Sequence, residues 1–368
     1  MSALKYRLAA APFRMLDRVG WLPPPAAKIE YIVERIAWSI AWDGQYICNG
    51  VNRIEPNTMA VSTRPERFAN CIVHFGSHYQ WLSWRDVLSP SNRYVATFYH
   101  GKREDGDREA RVIDAFVASA EKLEKVVTAC GIVHDRLLQW GVPAHKIARI
   151  PIPIDVTLFK PVSPEARTAA RRRFGIPEDT LVVGSFQKDG NGWGEGREPK
   201  LIKGPDVLVD AVARVHRERP VFVALSGPAR GYVKARLDQH AIPYVHIYES
   251  DYRKLPELYA ALDIYINPSR EEGGPKGILE AMASGIPVVS TEVGMAPDLM
   301  TGIAVRALVP PGNAIALANA VLDVAANADF RSQLIVHGHK AVVDCDWPVV
   351  AAEYYELVYR PLLQTRSA

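Results

Sequence analysis

The sequence predicts an α/β protein made of two domains, each with a parallel sheet. Short apolar runs alternate with longer amphipathic segments from residue 27 onward, a pattern typical of consecutive βαβ units. The length of 368 residues favours two domains over one. A proline-rich, extended segment at residues 150–162 separates two such series and is the expected connector.

The first domain is predicted to span residues 27–160. Its strands are expected at 28–33, 58–62, 71–75, 94–99, 126–129 and 147–150, and its helices at 109–123 and 132–140. The second domain is predicted to span residues 161–346. Its strands are expected at 181–186, 221–226, 245–248, 263–267 and 287–290, and its helices at 164–174, 205–218, 232–239, 255–262, 276–284, 314–325 and 330–343. One further helix is expected from residue 347 to 363.

Composition excludes several classes of protein. A hydrophobic content of 48% with 23% charged residues is typical of a soluble globular protein. A net charge of only +3 gives no indication of nucleic-acid binding. No apolar run is long enough for a transmembrane helix. The four cysteines are widely spaced, which favours a reducing cytoplasm over a disulfide framework.

Residues 1–26 form a separate basic, amphipathic segment without a signal-peptide pattern. Basic side chains alternate with apolar ones, and Pro12 is expected to interrupt any helix. Such a segment either contacts an anionic membrane surface peripherally or packs on the protein.

The most informative stretch is residues 267–290. Glu272 and Glu280 lie eight residues apart, and the glycine-rich loop between them precedes a predicted helix. A helix that begins after such a loop offers backbone N–H groups and a positive dipole end to a phosphate. Glu280, about one turn into the helix, could accept hydrogen bonds from two neighbouring hydroxyls such as those of a ribose.

This stretch resembles the E-x7-E element of GT-B nucleotide-sugar glycosyltransferases, specifically the large retaining group called family 4. The resemblance extends from about residue 93 to the C-terminus and is weaker over residues 27–92. It implies two facing Rossmann-like domains with an interdomain cleft. The first domain would bind the acceptor and the second the nucleotide sugar. The last helix, 347–368, would cross back to the first domain.

The resemblance also assigns roles. Glu280 would bind the ribose and Glu272 would face the transferred sugar. A Lys before the glycine that starts a helix, Lys203 before Gly204, would contact the donor phosphates. The diphosphate would also be held by the loop and helix start, namely Gly273, Gly274, Pro275, Lys276 and Gly277. A second basic contact falls on Lys188 or on Arg197, because Ser185 replaces the arginine common in the family.

The run Gly190, Gly192, Gly194 and Gly196 does not fit a dinucleotide-binding loop, because its glycines alternate and no helix follows. We expect a mobile loop there.

Three histidines lie at or near the ends of predicted strands of the first domain. The resemblance implies that His100 lies by the reacting centre. His74 and His78 either line an acceptor groove with Tyr79 and Trp81 or are packing residues.

Two D-x-D triplets, Asp105-Gly-Asp107 and Asp344-Cys-Asp346, are not expected to bind metal. The first lies in a charged loop, and Asp346 is a plausible helix cap. We expect no cofactor and no metal, since lysines and a helix dipole can stabilise a leaving diphosphate.

The sequence therefore predicts a metal-independent, retaining hexosyltransferase (EC 2.4) of the cytoplasm or the inner membrane face. It would move sugar from a nucleoside-diphosphate sugar to a hydroxyl of a glycan or lipid-linked glycan in polysaccharide or glycoconjugate biosynthesis. The alternatives are a UDP-sugar 2-epimerase on the same fold, a glycosidase using Glu272 and Glu280 as an acid–base pair, and a non-catalytic subunit that binds nucleotide sugar.

Overall fold

The computed structural model describes residues 3–35 and 39–364, with the backbone alone for residues 3 and 39. The first two residues of the predicted basic segment lie outside this part of the chain. The protein divides into two compact units. Unit 1 comprises Met1–Pro153 with Asp346–Ala368, and unit 2 comprises Ile154–Cys345.

Unit 1 is built on a six-stranded sheet in the order β2-β1-β3-β4-β5-β6, and every neighbouring pair is parallel. Its strands are β1 (Ile29–Ile32), β2 (Met59–Ser62), β3 (Ile72–Phe75), β4 (Arg93–Thr97), β5 (Lys125–Thr128) and β6 (Ile147–Arg149). Its first helices are α1 (Ala3–Arg18), α2 (Ser39–Ile54), α3 (His78–Trp84), α4 (Asp107–Ser119) and α5 (Gly131–Gln139).

Unit 2 has a second six-stranded parallel sheet, in the order β12-β11-β10-β7-β8-β9. Its strands are β7 (Leu181–Phe186), β8 (Val221–Ser226), β9 (Tyr244–His246), β10 (Ile264–Asn267), β11 (Val288–Thr291) and β12 (Leu308–Val309). Its helices are α6 (Pro164–Phe174), α7 (Pro205–Glu218), α8 (Gly231–Gln239), α9 (Leu255–Ala260), α10 (Lys276–Ala283), α11 (Ala296–Leu299), α12 (Ala314–Ala326) and α13 (Ala328–Val343).

The chain returns to unit 1 through α14 (Trp347–Tyr354), a π-helical turn (Tyr355–Tyr359) and α15 (Arg360–Gln364). The side chain of Asp346 caps α14 by accepting a hydrogen bond from the amide of Trp347 at 3.0 Å, as predicted. Apolar residues of this returning segment, among them Val350, Tyr354 and Val358, join the core of unit 1.

The returning segment packs on α2 by close contact at a glycine. A Cβ atom at Gly50 would lie 2.1 Å from Cβ of Ala351, so only glycine allows this approach. Beside it, the ring of Trp347 stacks with Tyr46 and lies under the guanidinium of Arg53, 4.3 Å from the ring centroid.

The N-terminal segment differs from expectation because α1 continues through Pro12 without a break. Pro12 lies on the exposed side of the helix. Proline removes one backbone hydrogen bond, and on a solvent-facing side water can satisfy the carbonyl that is left. The packing of Tyr6 against Trp84, with ring centroids 4.7 Å apart, then holds the helix on unit 1.

Most predicted strands and helices are present within a few residues, but α2, α3, α11 and β12 were not predicted. The two-residue strand β12 is too short to show a period of two. The run at α3 is rich in aromatic residues, which show no clear helical preference. Tertiary packing determines the secondary structure of such segments.

We predict that Gly50→Val destabilises the protein, because the new side chain would overlap Ala351. Overpacking of this kind costs about 1–3 kcal/mol. Urea unfolding of the wild type and the variant measures the difference. Gly194→Val is the matched control, since a Cβ at Gly194 has nothing within 4 Å. Equal destabilisation by both substitutions would contradict this account of the α2–α14 contact.

Candidate functional site

The candidate site lies in unit 2, where the strand order reverses. The first strand of this sheet, β7, is flanked by β8 on one side and by β10 on the other. The chain therefore leaves β7 and β10 in opposite directions and opens a crevice beyond their carboxyl ends. In open α/β sheets, ligands bind at this topological switch point. The predicted donor-site residues follow these two strands.

A glycine lets the two sides of the crevice approach each other. Gly204 precedes α7 and has a left-handed backbone with φ of +62°. A Cβ there would lie 2.0 Å from the carbonyl oxygen of Pro268, which follows β10. Arg270 reinforces the contact through two hydrogen bonds, of 2.7 and 2.6 Å, to the carboxylate of Asp206 in the first turn of α7.

This approach brings together two predicted site residues that are far apart in the sequence. Nζ of Lys203 lies 2.6 Å from Oε1 of Glu272, and both side chains are largely buried. The same carboxylate oxygen accepts a hydrogen bond of 2.9 Å from the hydroxyl of Ser269. The ammonium group is thereby held at the mouth of the crevice.

A third lysine, which the sequence analysis missed, lies in the same cluster. Burial, and then the nearby charges of Lys203 and Lys188, lower the pKa of Lys200. The ammonium of Lys188 lies 4.4 Å from the ring centroid of Trp193. We call Lys188, Lys200 and Lys203 the lysine cluster. Its like charges lie close enough to interact, an arrangement that a bound anion would stabilise. The sequence did offer one signal for Lys200, which is that it lies only three residues before the predicted site residue Lys203.

The helix α10 begins at the crevice with no side-chain cap. Its N-cap is Pro275, and Gly277 in its first turn contacts the ring of Tyr265, whose hydroxyl oxygen would be 2.0 Å from an added Cβ. Gly273 is buried and Gly274 half-buried in the preceding loop. An uncapped helix start presents first-turn N–H groups and a positive dipole end. Phosphate binding at this helix start stays a prediction. Gly285 has φ of +72° just beyond the helix, which is the predicted C-terminal position.

Glu280 is buried, not a solvent-exposed acid. Its Oε1 accepts a hydrogen bond of 2.8 Å from the hydroxyl of Tyr252, and its Oε2 accepts one of 2.7 Å from Tyr259. Burial, and then the negative charge of Glu280, raise the pKa of Tyr259 well above its usual value. The two tyrosines orient the carboxylate. Neither tyrosine had been singled out from the sequence.

The glycine-rich loop forms a hairpin whose base packs on the chain before α8. Its expected mobility stays a prediction. Gly190 and Gly196 contact the backbone of Ala229, where added Cβ atoms would lie 2.3 and 2.1 Å from its carbonyl oxygen. The amides of Gly231 and Tyr232, at the start of α8, donate to the carbonyls of Glu195 and Gly196. Sequence periodicity carries no signal for such backbone packing.

A fully buried ion pair lies at the base of this hairpin. Nε of Arg230 is 3.0 Å from Oδ1 of Asp189, and neither side chain is exposed. The same guanidinium donates to the carbonyl oxygens of Ser185, Gln187 and Ser226 at the ends of β7 and β8. Removing one partner of such a pair leaves an uncompensated buried charge. The pair therefore fixes the segment that carries Lys188 and Lys200.

The two candidates for the second basic contact differ in environment. Lys188 is half-buried within the lysine cluster. Arg197 is 82% exposed at the side chain and pairs with Glu195 at 2.6 Å. This geometry favours Lys188.

In unit 1 the three histidines have different surroundings. His100 is half-buried, three residues beyond β4. His78, at the start of α3, is buried against Phe98 with ring centroids 4.3 Å apart. Neither of its ring nitrogens has a hydrogen-bond partner among the described residues.

His74 is a core residue and does not line a groove. It is fully buried in β3, with Nδ1 2.7 Å from the hydroxyl of Tyr359 and Nε2 2.9 Å from Oγ1 of Thr97. Both nitrogens are therefore engaged, and the histidine ties the returning C-terminal segment to the sheet. Trp81 is likewise fully buried, with its indole N–H bonded to Ser119. An acceptor could not reach either side chain in this structure.

Within residues 3–35 and 39–364, no three His, Cys, Asp or Glu side chains are grouped closely enough to hold a metal ion. No helix in the same ranges is both long and apolar enough to cross a bilayer.

Comparison with known proteins identifies relatives of this chain. Residues 196–327 match the family model for glycosyl transferases group 1. The lipopolysaccharide core biosynthesis mannosyltransferase LpsB of Rhizobium meliloti (strain 1021) is 31% identical over 157 residues, 40% of this chain and 41% of the relative. The D-inositol 3-phosphate glycosyltransferase of Xylanimonas cellulosilytica is 29% identical over 327 residues, 81% of this chain and 73% of the relative.

A solved structure shows the same fold. Anabaena Alr3699/HepE in complex with UDP and glucose superposes with a TM-score of 0.70 at 17% identity, covering 93% of this chain and 100% of that one. The two parallel sheets and this likeness confirm the predicted GT-B fold. The predicted resemblance to group 1 glycosyltransferases is also confirmed, and the family match lies within unit 2. The chain spans less than half the length of LpsB.

We predict that His78→Phe makes stability less sensitive to acid. Burial, and to a smaller extent the charge of His100, lower the pKa of His78 to about 3. The unfolded chain takes up a proton near pH 6.5 and the folded protein does not, so stability is present above pH 6.5 and is lost as the pH falls toward 3. Between pH 7 and pH 5 the variant should gain about 2 kcal/mol relative to the wild type.

Urea unfolding at pH 5, 6 and 7 measures this difference. A constant offset between wild type and His78→Phe at all three pH values would show that His78 is not buried in its neutral form.

Proposed function

We propose that the protein transfers a hexosyl unit from a nucleoside-diphosphate sugar to an acceptor hydroxyl, with retention at the anomeric carbon. The observation that carries the proposal is the pairing of Lys203 with Glu272 at 2.6 Å at the switch point of unit 2. It puts a fixed cation and a carboxylate beside an uncapped helix start. A diphosphate sugar needs this combination of groups, with positive charge at its phosphates and an acceptor of hydrogen bonds at its hydroxyls.

The diphosphate would lie between the lysine cluster and the first turn of α10. Charged hydrogen bonds of this kind contribute about 1.5–3 kcal/mol each. The loop of Gly273 and Gly274 lets the phosphates approach the backbone. In this arrangement the lysines and the helix dipole supply the positive charge that a metal ion supplies in other transferases, and we propose a metal-independent reaction.

The ribose would be held by Glu280. Both oxygens of its carboxylate already accept a tyrosine hydroxyl, which fixes their orientation before the donor arrives. Tyr259 is fully buried, whereas Tyr252 is half-buried. The hydroxyl of Tyr252 therefore occupies a direction that a ribose hydroxyl could share or replace.

In the proposed reaction the acceptor oxygen forms a bond to the anomeric carbon on the face from which the diphosphate leaves. The bond between the anomeric carbon and the phosphate oxygen breaks with its electron pair on the phosphate. That oxygen takes the acceptor's proton, and Lys203 stabilises the charge as it grows. Glu272 orients the sugar hydroxyls and forms no covalent bond.

The acceptor would be bound through unit 1, with His100 near its hydroxyl. The names of the relatives point to a hydroxyl on a glycan or a polyol phosphate, in lipopolysaccharide core biosynthesis or on D-inositol 3-phosphate. We propose glycoconjugate or polysaccharide biosynthesis as the setting. The names of these relatives support a sugar transferase. The experiment below identifies the sugar.

A two-stage experiment tests the function. Thermal shifts with UDP, GDP, ADP and dTDP identify the nucleotide, and the matching nucleotide sugars are then assayed for release of the diphosphate with and without glycan acceptors. Acceptor-dependent release supports the proposal. Conversion of UDP-N-acetylglucosamine without an acceptor would indicate an epimerase, and stabilisation without turnover on any acceptor would indicate a binding subunit.

We predict that Glu280→Gln weakens binding of the selected nucleoside diphosphate by roughly 10- to 100-fold, the equivalent of losing one charged hydrogen bond. Gln keeps one acceptor oxygen for one tyrosine, and its NH2 group can donate to the hydroxyl oxygen of the other, so the fold is retained. Isothermal titration measures the dissociation constant. Glu218→Gln, at an exposed position of α7, is the matched control. An unchanged constant in Glu280→Gln would remove this carboxylate from the donor site.

We predict that Lys203→Met lowers kcat as well as kcat/KM, each by roughly 10- to 100-fold, because the leaving-group charge that Lys203 neutralises develops in the transition state. Steady-state kinetics with saturating acceptor measure both constants. Lys340→Met on α13 is the control for loss of a lysine. A rise in KM with kcat unchanged would limit Lys203 to ground-state binding.

A further inference from the structure

The helix α1 carries an apolar face that nothing in the described chain covers. Leu4, Leu8 and Met15 of the helix, and Val19 directly after its last residue, are each more than half exposed. At 100° per residue these four positions fall within an arc of about 60°. Trp21, which follows the helix after Gly20, is 78% exposed. Side chains of this size together form a continuous apolar stripe, which a monomer seldom leaves in water.

The opposite face of the helix is held by unit 1. The ring of Tyr6 packs on Trp84, and that of Phe13 lies under the guanidinium of Arg67, 5.8 Å from the ring centroid. The hydroxyl of Ser89 donates a hydrogen bond of 2.7 Å to the carboxylate of Asp17. The helix is therefore docked on the protein by one side, and its apolar stripe is presented outward by a rigid support.

Positive charge borders the stripe. Lys5, Arg7 and Arg18 are exposed beside it. The one acid among residues 3–22, Asp17, lies on the packed face and pairs with Arg14 at 2.8 Å. Residues 3–22 together carry a net charge of +3, which equals the formal net charge of the whole chain. The remainder of the protein is electrically neutral overall, so its excess charge is concentrated at this surface.

We propose that the outward face of α1 binds an anionic phospholipid bilayer. The helix would lie in the plane of the interface, with the four apolar side chains of the stripe among the acyl chains and its basic side chains at the headgroups. Trp21 would sit at the level where indole rings prefer to lie. Pro12 is on the exposed side, where the carbonyl it leaves unbonded can reach water or headgroups.

A second copy of the chain is a poorer occupant of this surface. In a two-fold symmetric pair the same patch faces itself, which would bring the basic borders of the two helices together. Repulsion between such charges opposes that pairing, whereas anionic headgroups complement them. The inference does not depend on the proposed enzyme activity.

The test is sedimentation of the full chain with vesicles of phosphatidylglycerol mixed with phosphatidylcholine. The wild type should bind these vesicles and leave pure phosphatidylcholine vesicles largely unbound, and added salt should weaken binding. The double variant Leu8→Glu/Met15→Glu should lower the partition coefficient by about tenfold or more.

The matched control is Val336→Glu/Val343→Glu, which changes two exposed apolar residues of α13, also seven positions apart. It should bind vesicles like the wild type, and circular dichroism verifies that both variants are folded. The proposal is overturned if the wild type does not bind anionic vesicles, or if Leu8→Glu/Met15→Glu and the control behave alike. It is equally overturned if light scattering shows a wild-type dimer that only Leu8→Glu/Met15→Glu converts to monomer.

Discussion

The close approach of two backbones at Gly204 is the contact on which the candidate site depends. No side chain fits between this residue and the carbonyl of Pro268, so the start of α7 lies directly against the end of β10. The lysine that precedes the glycine then reaches the carboxylate of Glu272. A larger residue would separate the two sides of the crevice and leave a largely buried cation and a largely buried anion without each other.

Other buried charged groups of unit 2 are also held by fixed partners. Arg230 and Asp189 form a pair with no exposed atoms at the base of the hairpin, and Glu280 is surrounded by tyrosine hydroxyls. Each of these groups is costly to bury and is stable because its partner is rigidly placed. The result is a set of oriented charges that needs little rearrangement to receive a charged ligand.

Much of the fold could be predicted because its signals are local. The strands of unit 2 are continuous apolar runs such as residues 221–226, and α10 ends at a glycine with positive φ, as its sequence suggested. The helix α1 was misjudged because Pro12 reads as a break, although on an exposed side of a docked helix the lost hydrogen bond costs little. The sequence left His74 between an acceptor groove and a packing role, because a buried imidazole and an accessible one look the same in a sequence.

By itself, the sequence determined the alternation of strands and helices, the relationship to group 1 glycosyltransferases and the loop of residues 272–280, since these depend on residue types at short spacing. Only the tertiary structure decided that Lys200 belongs with Lys188 and Lys203, that Tyr252 and Tyr259 hold Glu280, and that one face of α1 stays uncovered. Tyr252 and Tyr259 lie 28 and 21 residues before Glu280, the lysines meet through the packing of the hairpin, and the uncovered face of α1 depends on which side packs. The folded chain alone decides these arrangements.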